Sequence, residues 1–189
     1  MVLLSEVCPK AWRNEDYLRI MDELSVLFRN KTFLLIGTGY TEEQYLDWPK
    51  TLLKCGAKNV EYLEVFQGYV DRFKGREFKV YLGDVIDIDS IFQDNSYDFV
   101  FWLHGPEHVV YEKWPTVFDK ILKVVACGFL AAVPFGSYYD YQEEAHGNLY
   151  EKHIVKNISE EMIKELDVSY LVIGEKDGPA SQILMWKLK

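Results

Sequence analysis

Apolar positions alternate along the chain between two spacings. From Trp12 to Phe28, residues Tyr17, Ile20, Met21, Leu24, Leu27 and Phe28 recur at helical intervals, with Arg13, Asp16, Arg19 and Asp22 elsewhere, which predicts an amphipathic helix. Thr32 to Ile36 is then a continuous apolar run closed by Gly37, the pattern of a strand buried on both faces. Asp47-Trp-Pro-Lys reads as a helix start, with Asp47 as N-cap and Pro49 in the first turn, and that helix ends near Gly56. Strands follow at Val60 to Phe66, Phe78 to Leu82, Tyr97 to Leu103 and Cys127 to Val133. Between them lie a short helix near Tyr69 to Lys74 and a longer one from Glu107 to Val125, with Pro115 as a potential break.

The last third of the chain changes character. A polar, Tyr-rich stretch runs from Phe135 to about Lys156, and Ser159-Glu-Glu-Met opens a helix with a capping-type sequence. Val168 to Ile173 and Ile183 to Leu188 are strands joined through Asp177-Gly178-Pro179, which is turn chemistry and predicts an antiparallel hairpin. Strand and helix alternate up to Val133. The predicted fold is therefore α/β: a doubly wound, mostly parallel seven-stranded sheet with helices on both faces and a C-terminal antiparallel hairpin. One domain, 1–189, accounts for the length, with 1–30 as an N-terminal helical cap and 135–156 as a substrate-side loop.

Composition narrows the function. With 49% hydrophobic and 15% aromatic residues the chain is globular. A formal net charge of -9 and the lack of a Lys/Arg cluster argue against a nucleic-acid partner, since phosphate-backbone binding needs a basic stripe. Cys8, Cys55 and Cys127 are scattered and odd in number, which reads as reduced thiols in a cytoplasmic protein. No apolar run is long enough for a membrane span, so no membrane partner is expected. Oligomeric state is not legible in the sequence.

In an open parallel sheet, ligands bind beyond the carboxyl ends of the strands. Those ends carry Gly37-Thr38-Gly39, then Glu64, then Gly83-Asp84-Val85, then His104-Gly105-Pro106-Glu107-His108. Glycines let a backbone approach a ligand closely, a carboxylate at the second strand end can accept both hydroxyls of a ribose, and an Asp after the third can meet an adenine amino group. On these residues the chain resembles a class I S-adenosylmethionine-dependent methyltransferase. The resemblance rests on I-G-T-G, on L-E-V with Glu64, on L-G-D-V with Asp84, on Y-D-F-V-F-W-L-H-G-P-E-H-V and on I-L-K-V-V-A-C-G-F-L-A-A-V-P-F-G, and covers the chain from about Phe33 onward. It implies S-adenosyl-L-methionine as cofactor, with Gly37 and Gly39 at its methionine part, Glu64 on the ribose, and Asp84 and Val85 at the adenine. Thr38, Val65 and His104 complete the expected cofactor-binding set.

Two departures bear on this expectation. A dinucleotide turn brings a helix N-terminus against a pyrophosphate and uses a third glycine; here the helix is expected to start late, after Tyr40 to Asp47. The family usually has an acidic residue two before the first glycine, where this chain has Leu35, and Glu42 or Glu43 is a candidate replacement. Methyl transfer from a sulfonium is an in-line displacement with a good leaving group, and a base is needed only if the acceptor arrives protonated. His153 and His108 are the leading catalytic candidates, followed by His146 and His104. Tyr138, Tyr139, His146 and Glu151 are expected to bind a small-molecule or saccharide acceptor for O- or N-methylation. A metal site from His146, Glu151 and His153 lacks a ligand signature, so no metal is expected. The rival readings are a non-catalytic binding or subunit module on the same fold, which Leu35 favours, and a nicotinamide-dependent oxidoreductase.

Overall fold

The computed structural model describes residues 25–39, 41–140, 147–178 and 181–189. Its strands are β1 Thr32–Ile36, β2 Asn59–Glu64, β3 Val80–Leu82, β4 Tyr97–Leu103, β5 Val125–Pro134, β6 Ser169–Ile173 and β7 Gln182–Leu188. They form one seven-stranded sheet in the order β3-β2-β1-β4-β5-β7-β6. Neighbours from β3 to β5 run parallel, while β7 is antiparallel to both β5 and β6. The helices are α1 Glu42–Lys54, α2 Gln67–Phe73, α3 Ile88–Ile91, α4 Trp114–Val124 and α5 Glu160–Lys164. The expected doubly wound sheet and terminal hairpin are both present. Chain order reverses between β1 and β4, which makes the carboxyl ends of those two strands the switch point where a ligand crevice opens.

The period of two in the strands divides the core. Phe33, Leu35, Phe99 and Phe101 face Tyr45, Trp48 and Leu52 of α1 on one side. Leu34, Val100 and Trp102 belong to the other side, with Trp114, Val117, Phe118 and Ile121 of α4. Phe33 stacks on Phe99 with ring centroids 5.5 Å apart, and Phe28 closes on the edges of Phe33, Phe99 and Phe101. Of the expected N-terminal helix, residues 12–24 lie outside the described residues; Val26–Phe28 forms a single 3-10 turn. The expected helix from Glu107 to Val125 is instead two short 3-10 turns, Pro106–His108 and Tyr111–Lys113, ahead of α4, where Pro115 sits in the first turn. The short α3 after Asp84 was not anticipated, because four residues carry too little periodicity to register.

The start of α1 is the main correction. The helix does not wait for Asp47 but begins at Glu42, capped by Thr41: the Thr41 hydroxyl accepts from the Gln44 N–H (3.1 Å) and the Gln44 side chain accepts from the Thr41 N–H (2.9 Å). Pro49 thus lies in the helix interior, where it cannot donate to the carbonyl of Tyr45. That carbonyl is not left unmet, because the buried Tyr62 hydroxyl of β2 donates to it at 2.6 Å. The Tyr45 hydroxyl in turn donates to the Phe78 carbonyl (2.6 Å) and accepts from the Phe78 N–H (2.8 Å). Two tyrosines therefore convert a helix defect into the joint between α1, β2 and the entry to β3.

At the opposite end of the sheet, Asp98 locks β4 to β1. Its carboxylate accepts from the Thr32 N–H (2.9 Å), the Thr32 hydroxyl (3.0 Å) and the Lys31 ammonium (2.9 Å), and its own N–H donates to the Thr32 hydroxyl oxygen (3.0 Å). Burial opposes ionisation of Asp98, but the Lys31 ammonium and the Thr32 donors outweigh it and hold the carboxyl below its ordinary range.

Two stability measurements check these joints. Tyr62→Phe leaves the buried Tyr45 carbonyl without a donor and should destabilise the fold by about 1–3 kcal/mol in urea unfolding; an unchanged midpoint would mean that the Pro49 gap is closed another way. Asp98→Asn should cost about 1.5–3 kcal/mol near pH 7. Because the folded carboxyl is depressed, its contribution is present above the unfolded value of about 3.9 and is lost as pH falls through the folded value. The gap between parent and variant should therefore narrow as the pH is taken below about 4, and a constant gap would refute the ionic part of the joint.

Candidate functional site

A cleft of about 720 Å³ opens at the switch point, within the size range of small-ligand sites. Its floor is the turn after β1. Gly37 and Gly39 both have positive φ (87° and 69°), so the backbone folds back on itself there. A side chain on Gly37 would meet nothing within 4 Å, whereas one on Gly39 would strike Gln44 of α1 at 2.7 Å. Gly37 thus faces the open cleft, and Gly39 lets α1 start close behind it.

Glu64, at the end of β2, binds this turn from the side. Its Oε2 accepts from the N–H (2.9 Å) and hydroxyl (3.1 Å) of Thr38, and its Oε1 accepts from the Phe66 N–H (2.8 Å). The residue is only 4% exposed, and burial pushes its carboxyl up against the pull of these donors. The carboxylate offers about four acceptor positions, and three are filled by the protein. The Thr38 hydroxyl has a second acceptor in reach, the Gly39 carbonyl at 3.1 Å, so it can release Oε2 to a ligand. Val65 also lines the cleft. Asp84 and Val85 line it beyond β3, with Asp84 Oδ1 accepting from the Ile86 N–H (3.0 Å) as the cap of a 3-10 turn.

The end of β4 supplies the opposite wall. His104 adopts the left-handed conformation (φ 51°), while its N–H still donates to Ala132 of β5 (2.9 Å). The chain then turns through Pro106–His108 and buries Glu107 completely. The Glu107 carbonyl accepts from the N–H groups of Ile154 (2.9 Å) and Val155 (3.0 Å), which pins His153 beside the Glu107 side chain. His153 Nε2 is 3.9 Å and His104 Nδ1 3.5 Å from Glu107 Oε1. His108 meets His153 edge to face at 4.8 Å. Burial pushes the His153 imidazole down, toward its neutral form. Burial also opposes ionisation of Glu107, but the imidazoles, His104 first, outweigh it and hold that carboxyl low.

The expected acceptor-side residues divide. Tyr139 lines the cleft, and Tyr138, 42% exposed, packs edge-on behind it at 4.8 Å. His146 lies outside the described residues. Glu151 lines the cleft but on the side of β2: it lies close enough to raise Glu64, and burial followed by Glu151 pushes the Tyr69 phenol up to about 12. His153 accordingly groups with Glu107 and His108 rather than with Glu151. Glu42 and Glu43 are exposed on the outer first turn of α1 and do not line the cleft. Asp47 does, one turn further on, lining the same cleft as Leu35 and Gly37, and burial raises its carboxyl, with Glu43 adding to the effect. Asp47 was missed because a cap and a cleft-facing carboxylate look alike in sequence; shifting the helix start to Thr41 would have placed Gln44, Asp47 and Trp48 on one face.

No helix among the described residues is long and apolar enough to cross a membrane. No protein-family model matches the sequence, and no curated protein does. Solved structures do match. A methyltransferase dependent on S-adenosylmethionine from Archaeoglobus fulgidus superposes with a TM-score of 0.60 at 13% identity, over 93% of this chain and 95% of that one. A second from Methanosarcina mazei gives 0.60 at 12% identity, over 85% and 93%. The 1,6-didemethyltoxoflavin-N1-methyltransferase of Burkholderia thailandensis, solved with 1,6-didemethyltoxoflavin and S-adenosylhomocysteine bound, gives 0.57 at 13% identity, over 95% and 78%. Strand order, the reversed β7 and these superpositions agree: the chain has the fold of the class I S-adenosylmethionine-dependent methyltransferases.

Proposed function

We propose that the cleft binds S-adenosylmethionine and that the protein transfers its methyl group to an oxygen or nitrogen of a small-molecule or saccharide acceptor. The observation that carries this is the pairing of a glycine turn with a buried carboxylate, Glu64, at the adjoining strand end. In this reading Gly37, Thr38 and Gly39 lie along the methionine part, and Glu64 takes the ribose hydroxyls as Thr38 turns to Gly39. Val65 lies beside the ribose, and Asp84 and Val85 hold the adenine. Asp47 supplies the negative charge that Leu35 lacks, set to meet the cofactor's ammonium from α1 rather than from β1. His104 borders the sulfonium end, and the Glu107 group with Tyr139 forms the acceptor side.

The N-terminus of α1 speaks against a dinucleotide. It starts close behind Gly39, as in a pyrophosphate site, but the Thr41–Gln44 box occupies the N–H groups of those two residues and its first turn carries Glu42 and Glu43. Two carboxylates there repel the charge that a pyrophosphate would bring. A zwitterionic sulfonium ligand makes no such demand.

Calorimetry with S-adenosylhomocysteine should give micromolar or tighter binding, and no heat at millimolar ligand would sink the reading. Glu64→Gln and Asp47→Asn should each weaken that binding by about 1.5–3 kcal/mol, the range for a hydrogen bond to a charged group. NAD should give no heat at either. A paired measurement separates the two sides of the 135–156 loop. Replacing Tyr138 and Tyr139 together with Ala should leave S-adenosylhomocysteine affinity within a few fold, whereas Glu151→Gln, which relieves repulsion at Glu64, should change it. The assignment of Glu151 fails if only the tyrosine variant moves the affinity.

A further inference from the structure

Glu107 presents an unsolved electrostatic problem. Its side chain is 0% exposed, and neither carboxylate oxygen has a hydrogen-bond donor. A buried carboxylate without a closed hydrogen bond is costly, and only imidazoles stand near enough to answer its charge. A protonated imidazole would do so through a short, charge-assisted hydrogen bond of about 2.7–2.9 Å. The nearest ring nitrogens, on His104 and His153, stand at 3.5 and 3.9 Å. The protein has gathered three imidazoles around one carboxylate without closing a hydrogen bond to it.

We propose that Glu107, His108 and His153 bind a divalent first-row transition ion of the zinc kind. Each offers one ligand atom, and the three atoms lie within 4.8 Å of one another. Ligand bonds of about 2.0–2.2 Å would draw them inward by a small side-chain movement. His108 is already set for the task. Its Nδ1 lies 3.1 Å from the Lys152 carbonyl, which can only accept, so Nδ1 carries the proton and Nε2 presents its lone pair. A ligand imidazole whose other nitrogen donates to a backbone carbonyl is the usual outer arrangement of a metal-bound histidine. Two backbone ties make the set rigid: the Glu107 carbonyl with the N–H groups of Ile154 and Val155, and Lys152 with His108. Two imidazoles favour zinc-like ions over magnesium or calcium, which take oxygen ligands.

Three protein ligands leave coordination positions open, the mark of a catalytic rather than a structural ion. His108 and His153 both line the cleft, so those positions face it. The consequence for the reaction rests on the methyltransferase reading; the ion's binding does not. The ion would hold an acceptor hydroxyl oxygen and lower its pKa, so that its proton leaves to water at the cleft mouth. The oxygen lone pair then forms the O–CH3 bond as the C–S bond breaks, its electron pair staying on sulfur. The histidines would act as ligands, not as general bases, and the acceptor would be a hydroxyl compound.

The test is a titration of the chelator-stripped full chain with ZnCl2, followed by calorimetry and by the ring-nitrogen NMR signals of its four histidines. One equivalent should bind with micromolar or tighter affinity and shift His108 and His153. Glu107→Gln and His108→Ala should each weaken binding at least about 100-fold, more than loss of an outer partner causes, with far-UV circular dichroism confirming the fold. If a variant does not fold, the parental NMR titration decides. The proposal is overturned by no binding at millimolar zinc, by His146 responding in place of His108, or by folded variants that keep parental affinity. S-Adenosylhomocysteine binding is measured separately: its absence alongside zinc binding would remove the methyltransferase reading and leave the metal site standing.

Discussion

The carboxylate of Glu64 is the contact on which the cleft depends. A buried charge must be met by donors, and here the donors are the backbone N–H groups of the two segments that have to be held: Thr38 in the turn after β1 and Phe66 in the turn after β2. One side chain therefore fixes the relative position of two strand ends. Gly37 and Gly39 take their positive φ values freely because neither has a Cβ, the Glu64 contact fixes the turn between them, and α1 can then begin directly behind. The rest of the fold brings these ends together: β1 is held in register to β4 by Asp98 at the far end of the sheet, and α1 is held to β2 through Tyr62 and the Tyr45 carbonyl.

Glu107 is the counterpart on the other wall, with the opposite solution. Both residues are acidic, both are buried and both sit at the carboxyl end of a strand. Glu64 is met by main-chain donors and keeps one acceptor position for a ligand; Glu107 is met by none and is ringed by imidazoles. The backbone of Glu107 is nonetheless well tied, through its carbonyl, to Ile154 and Val155. In the segment after the fifth strand, the described residues 147–156 bring His153 beside Glu107 and set Glu151 on the cleft wall, where its charge reaches Glu64.

The sequence by itself determined the fold. The mainly apolar runs at Thr32–Ile36 and Tyr97–Leu103 matched the observed strands residue for residue, because a strand buried on both faces carries few polar positions, here only Thr32 and Asp98 near the strand starts. The turn chemistry around Asp177 and Gly178 was enough for the antiparallel hairpin, because turn residues act locally. Gly37, Glu64 and Asp84 were placed at strand ends for the same reason. Tertiary structure decided what side chains do across long separations. Pro49 looked like a helix start until Tyr62, from another strand, was seen to satisfy the carbonyl it orphans. Asp47 looked like a cap until the cap was found at Thr41. Glu107 looked like a favourable residue near a helix N-terminus, and only folding set it beside His153, through hydrogen bonds whose partners lie some forty-five residues apart in the chain. Local propensity can be read along a chain because its causes lie within a few residues, whereas the burial of a charge, and what then must answer it, is a property of the space that distant segments enclose.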